Sequence, residues 1–239
     1  MRSNLKANIN KAELKEGARL VVKIGTSVIT NNENAVCEKM ISTLASQIST
    51  LQKEGFKVIV VSSGAVAAGV HRMGWKQKPK KISHLQAAAA VGQVSLVETY
   101  EKEFKKNGLT TAQVLITGED FSSRKRYLNS RATFETLLNE NILVIANEND
   151  TVSTDEIKVG DNDTLAASIA TTIQADLFVI LTDQKGLFTE NPTSSSKADL
   201  IRSVDVNNDI LSRVASKSHS EFGTGGMETK IKAARIVAR

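Results

Sequence analysis

Residues 58–70 read VIVVSSGAVAAGV, and the change of character inside this stretch decides the fold class. Val58, Ile59, Val60 and Val61 are four consecutive β-branched apolar residues, the pattern of a strand buried on both faces. Ser62, Ser63 and Gly64 then make a small-residue turn that feeds a helix. A buried strand that passes through a tight turn into a helix is half of a βαβ unit.

The same alternation extends along the chain. Further buried strands are predicted at 20–24, 112–116, 142–145 and 177–181, and helices with apolar residues three or four apart at 36–54, 84–107, 130–139, 163–174 and 226–239. This series predicts an α/β fold with a mainly parallel sheet covered by helices on both faces. No internal repeat, low-complexity tract or long linker divides the 239 residues, so a single domain over 1–239 is expected. The last segment, METKIKAARIVAR, keeps helical periodicity up to Arg239.

Composition narrows the function classes. The chain is 41% apolar and 24% charged, ordinary for a globular protein, and no apolar run approaches the roughly 18 residues of a membrane span. The polar opening MRSNLKANINKAELKEG has no apolar core of a signal peptide, so a cytoplasmic protein without a membrane partner is expected. One cysteine, Cys37, and three scattered histidines, His71, His84 and His219, offer no metal-ligand spacing, and no metal-binding residue is assigned. A net charge of +5 raises the question of nucleic acid. The basic clusters at 76–81 and 124–126 lack interleaved aromatics, however, so they read as solvated surface and no nucleic-acid partner is expected.

In an open α/β sheet the loops after the strands carry the chemistry. After the first comes Lys23 in VVKIGTS, a lysine at the end of an apolar strand, with Gly25 allowing close approach of an anion. After the second, Ser62, Ser63 and the following turn supply hydroxyl and N–H donors at a helix start, or simply pack tightly. After the fourth come NENDTVS at 147–153 and GDND at 160–163, two Asn/Asp clusters that suit a zwitterion, although such residues also make turns and caps. After the fifth, Thr182 and Asp183 stand where a base and ribose could be gripped. FGTGGMETK then puts a glycine-rich loop before a helix that carries Lys230, a phosphate cradle with a lysine beside it.

Taken in order, VVKIGTS, VSSGAVAAG, NEND, KVGDND, LTDQKGL and FGTGGMETK resemble the motif series of the amino acid kinase family, and the pair NEND with KVGDND resembles its glutamate 5-kinases. The likeness runs from about Leu20 to the C-terminus. It implies a three-layer αβα sandwich with a substrate-binding N-terminal half and an ATP-binding C-terminal half. It also implies transfer of phosphate from ATP, with Mg²⁺, to the side-chain carboxylate of L-glutamate, the first step towards proline. By motif, Lys23 and Lys230 would flank the transferred group and Asp163 would hold both. Ser63, Asp150 and Asn162, with Asn147 as a weaker candidate, would bind glutamate. Lys23, Thr182, Asp183, Thr224, Gly225, Gly226, Met227 and Lys230 would bind ATP. L-proline is the implied feedback inhibitor, and a homo-oligomer is expected. The departure is a PUA domain, appended in many bacterial members, which is not expected within these 239 residues. Acetylglutamate kinase is the nearest alternative, disfavoured by the carboxylate Asp150, and a non-catalytic amino-acid sensor is disfavoured by the retained lysines.

Overall fold

The first described strand becomes an inner strand of the sheet. In the computed structural model, which describes residues 14–31, 33–153, 162–217 and 226–238, β1 (Arg19–Ile24) lies between β2 (Lys57–Val61) and β5 (Leu177–Leu181). With β3 (Thr111–Ile116) and β4 (Leu143–Glu148) the sheet runs β3-β4-β2-β1-β5. Every pairing is parallel, so all five carboxyl ends open on one side. The chain builds outward from β1 through β2 to β3 and β4, then crosses back to place β5 on the other flank of β1. That reversal creates the crevice in which ligands of such sheets sit.

The helices are α1 (Thr26–Ile29), α2 (Glu38–Lys53), α3 (Ala65–Arg72), α4 (Ile82–Lys106), α5 (Gly118–Ser122), α6 (Arg124–Asn139), α7 (Asn162–Thr172), α8 (Ile210–Lys217) and α9 (Met227–Val237). Because strand side chains alternate, Leu20, Val22, Ile24, Val58 and Val60 pack against Ile41, Leu44 and Ile48 of α2 and Leu96, Tyr100 and Phe104 of α4. Val21, Ile59, Val61 and Val144 pack on the other face against Phe134 and Leu138 of α6 and Leu165 and Ile169 of α7. Each such side chain contributes roughly 1.5–3 kcal/mol on burial. The result is a three-layer αβα sandwich, with α9 lying along α7. No helix among the described residues is long and apolar enough to cross a membrane.

Two boundaries differ from the sequence reading. The fourth strand does not end at 145: Asn147 and Glu148 continue it in register with Leu115 and Ile116 of β3, and both are buried. Polar residues extend a strand when their side chains find partners, which composition alone does not reveal. The sixth helix begins at Arg124, six residues before the apolar spacing begins, with Arg126 reaching Glu119 at 3.5 Å and Asp120 at 3.4 Å. A short antiparallel ribbon of β6 (Leu187–Phe188) and β7 (Leu200–Ile201) was too brief for periodicity to mark.

Small residues hold α3 against α4. A Cβ on Gly92 would lie 1.9 Å from the Ala65 carbonyl oxygen and 2.3 Å from the Gly69 nitrogen, and one on Gly69 would lie 1.7 Å from the Ala88 oxygen. These are backbone atoms, which cannot swing aside. Gly64 starts α3 with φ at 95°, in the left-handed region that favours glycine. Alanine is normally the better helix former, so Gly92→Ala is diagnostic: it should cost about 3 kcal/mol or more by overpacking. Gly74→Ala, with φ +68° but nothing within 4 Å, should cost only about 1–2 kcal/mol. Urea melts of the two variants check this, and equal losses would count against the close crossing.

Candidate active site

Strand alternation sends Lys23 to the same face as Val21, towards α7, at the carboxyl end of β1. There it is almost wholly buried at 5% exposure. Its Nζ lies 2.5 Å from Oδ1 of Asp163, which sits in the first turn of α7 and is fully buried. Lys230, in the first turns of α9, places its Nζ 3.3 Å from Oδ2 of the same carboxylate. The Thr229 hydroxyl lies 2.8 Å from that Oδ2 and 2.8 Å from the Gly226 carbonyl. One carboxylate thus ties together the end of β1, the start of α7 and the start of α9. Burial pushes the Asp163 carboxyl up, but the charge and hydrogen bond of Lys23, then Lys230 and the Thr229 hydroxyl, outweigh it and hold the group below the usual carboxylate range.

A polar network of buried amides lies on the β2–β4 side. Asn162, the first residue of α7, donates from Nδ2 to the Ser62 carbonyl at 2.5 Å and to Asn147 Oδ1 at 2.7 Å. Asn147 donates in turn to Gln93 Oε1 at 2.7 Å. Ser62 Oγ and the Tyr100 hydroxyl are 3.1 Å apart, and burial drives the Tyr100 phenol far above its ordinary value, so it stays a donor. Ser63 is buried next in the chain. Asp150 lies two residues beyond β4, half-buried, and no hydrogen bond from a described residue reaches its carboxylate. Burial pushes that group up to about 6, with the charge of Lys78 opposing.

On the β5 side, the Gly25 N–H donates to the Leu181 carbonyl at 3.0 Å, which draws the loop after β1 against the end of β5. Thr182 follows at once, with its hydroxyl 3.1 Å from Asp183 Oδ1. Gly226 precedes Met227 at the start of α9 and supplies no side-chain cap to the N–H groups of that first turn. Thr224 and Gly225 lie outside the described residues, as do Gly160 and Asp161 of the GDND stretch.

The structure therefore brings Lys23, Asp163 and Lys230 into direct contact. It joins Asn147 and Asn162, and sets Ser63 and Asp150 at the ends of neighbouring strands. Thr182 and Asp183 fall on the opposite flank of β1. The SSGAVAAG turn serves tight packing as well as the site, and Ser62 spends its hydroxyl on Tyr100 and the Ser63 carbonyl. Sequence reasoning missed Thr229, Gln93 and Tyr100. The only signal for the last two was their seven-residue spacing on one helix face. Among the described residues no group of three or more His, Cys, Asp and Glu could hold a metal ion.

Residues 18–239 match the family model described as the amino acid kinase family. The chain is 50% identical over 226 residues to a glutamate 5-kinase of Nitrosospira multiformis, covering 95% of this chain and 61% of that protein. It is 47% identical over 229 residues to a glutamate 5-kinase of Hahella chejuensis, covering 96% and 59%. The chain thus spans about three fifths of the length of the curated relatives it matches. Among solved structures, a carbamate kinase from Giardia lamblia bound to AMP-PNP shares the fold at 16% identity with a TM-score of 0.62, over 93% of this chain and 88% of that one. With the sandwich, the crevice and the family match agreeing, the chain belongs to the amino acid kinase family.

Proposed function

We propose that the chain transfers the terminal phosphoryl group of ATP to the side-chain carboxylate of L-glutamate, the reaction for which its relatives are named. The observation that carries this reading is the buried Asp163 carboxylate shared by Lys23 and Lys230. Two ammonium groups fixed at the meeting point of the strand ends suit a path along which negative charge must be neutralised. The attacking group needs no base, since a glutamate carboxyl with a pKa of about 4.3 is already ionised at pH 7. A bond forms from that carboxylate oxygen to phosphorus as the bond to the β-phosphate oxygen breaks, giving an acyl phosphate and ADP.

In this reading Ser63, Asp150, Asn162 and Asn147 hold glutamate on the β2–β4 side. Lys23, Thr182, Asp183, the 224–227 segment with Thr224, Gly225, Gly226 and Met227, and Lys230 hold ATP beside β5, so the N-terminal half serves substrate and the C-terminal half nucleotide. Asp163 keeps both lysines in place. Mg²⁺, a hard cation that favours phosphate oxygens and water, would enter on the nucleotide and neutralise phosphate charge. That route fits a site whose described residues form no acidic cluster for it. Asp150, a half-buried carboxylate held near pKa 6, favours a free ammonium over the acylated nitrogen of N-acetylglutamate. We further propose a cytoplasmic homo-oligomer. L-proline, which shares the α-carboxylate and a charged nitrogen, would inhibit it in competition with glutamate.

Steady-state kinetics of Asp163→Asn test the central assignment. The change keeps shape and removes charge, so kcat should fall by roughly 10², about 2.7 kcal/mol, with both KM values moved only a few-fold. A normal kcat would leave Asp163 as a helix-start residue only.

Asp150→Asn separates function from stability. Its carboxyl binds a proton more tightly in the folded chain than in the unfolded one, so the ionised form costs stability above about pH 6, and this cost fades as pH falls towards about 4. The variant should melt higher than wild type at pH 7.5, lose that advantage by pH 4, and show a raised KM for glutamate with the KM for ATP unchanged. A lower Tm at pH 7.5, or equal loss for both substrates, would contradict the assignment.

A further inference from the structure

Residues Gln86, Gln93 and Tyr100 are spaced by seven along α4 and so share one face of that helix. Each reaches a different segment of the acceptor side. Gln86 Nε2 donates to the Ser153 carbonyl at 3.1 Å, just beyond Asp150. Gln93 Oε1 accepts from Asn147 Nδ2 at 2.7 Å, and the Tyr100 hydroxyl meets Ser62 Oγ at 3.1 Å. The middle contact completes the relay that sets the polarity of the site.

Side-chain amides can be turned either way, and here backbone groups settle which way. The Glu148 N–H, at 2.9 Å, can only donate, so the Asn147 atom it meets is Oδ1. The Ser62 carbonyl can only accept, so the Asn162 atom it meets is Nδ2. That Nδ2 also donates to Asn147 Oδ1, which uses both of its hydrogens. Asn162 is left with Oδ1, an acceptor that takes no hydrogen bond from a described residue. Asn147, with its oxygen accepting twice, must donate through Nδ2, and the acceptor it finds is Gln93 Oε1. The other Gln93 atom, Nε2, is buried without a hydrogen-bond partner among the described residues. It is therefore the oxygen, and not the amide nitrogen, that the network uses.

We infer that Gln93 is a positioning residue that fixes the amide relay so that Asn162 presents an acceptor, and thereby tunes the pocket to a free ammonium group. The inference rests on the reading of this side as the glutamate pocket. With Asp150 just beyond β4, the strand that carries Asn147, an acceptor amide and a carboxylate would both face the α-nitrogen, an arrangement that rewards a protonated amine and penalises an acylated one. Without Gln93, Asn147 Nδ2 is left without its acceptor, and the side chain is kept in place only by the Glu148 N–H and Asn162. Asn162 in turn is held less tightly in the position that presents its Oδ1 to the ligand.

Initial rates with varied L-glutamate, N-acetyl-L-glutamate and ATP test this in wild type, Gln93→Met and Gln93→Glu. Methionine keeps the length and removes the acceptor, whereas glutamate keeps an accepting oxygen and replaces the unpaired donor with a second carboxylate oxygen and its charge. Gln93→Met should raise the KM for L-glutamate about tenfold with the KM for ATP within about twofold, and narrow the preference over N-acetyl-L-glutamate; Gln93→Glu should stay within about threefold of wild type. An unchanged KM in Gln93→Met, an equal rise for both substrates, or a Gln93→Glu variant as impaired as Gln93→Met overturns the inference. If thermal melts show that Gln93→Met does not fold, Gln93→Glu decides alone: a KM within about threefold supports the inference and a tenfold rise overturns it. A wild type that turns over no L-glutamate overturns the reading of the pocket and this inference with it, whereas glutamate turnover insensitive to Gln93→Met overturns the inference alone.

Discussion

The ion pair between Lys23 and Asp163 is the constraint around which the site is organised. A carboxylate with no exposure is costly to keep ionised unless it is paired and hydrogen-bonded, and Asp163 meets that condition with three groups from two other elements: Lys23 of β1, and Thr229 and Lys230 of α9. Removing one partner of such a cluster typically costs about 3–5 kcal/mol, because the others are left buried and uncompensated. The cluster therefore fixes how α9 docks on α7 and where the end of β1 lies relative to both. The first turn of α9 is held near the end of β1 by the same contact. A phosphoryl group placed there would meet ammonium groups that need no rearrangement, which is how such sites lower a barrier.

The β2–β4 side depends on a different kind of constraint. The close crossing of α3 and α4 at Gly69 and Gly92 brings α4 near enough to the strand ends for Gln93 and Tyr100 to reach Asn147 and Ser62. Bulkier residues at the crossing would move α4 outward and open those hydrogen bonds. Small residues in the VSSGAVAAG stretch thus act at a distance, through the helix they admit. Asp150 shows the converse, a group left partly buried and weakly compensated at a cost in stability, as binding sites often are before a ligand supplies the missing charge.

Much of this was legible in the sequence because buried parallel strands announce themselves. Runs such as Val58 to Val61 have no amphipathic alternative, and Lys23 stands out as a charge at the end of one. Lys230 was visible through the glycine-rich loop before its helix, and the role of Asp163 only through the likeness of its GDND stretch to the family's motif. Asn147 and Glu148 were read as loop because polarity ordinarily ends a strand; their burial is made possible by Asn162, Gln93 and Ser153, contacts distant in sequence. Thr229 was hidden because a threonine in a first helical turn is unremarkable until Asp163 is seen above it. Gln93 carries even less local signal, since its role is defined only by which atom of Asn147 faces it.

The account stands on Asp163 acting through the lysines rather than beside them. A double-mutant cycle on the phosphorylation rate, combining Lys23→Met with Asp163→Asn, measures this directly. If Asp163 serves to hold the lysines, the double variant should be slowed by far less than the product of the two single effects, because the part of the Asp163 effect that runs through Lys23 is already lost. Losses that multiply, with the double variant slower by the product of the two single effects, would show that Asp163 and Lys23 act independently and would contradict the account.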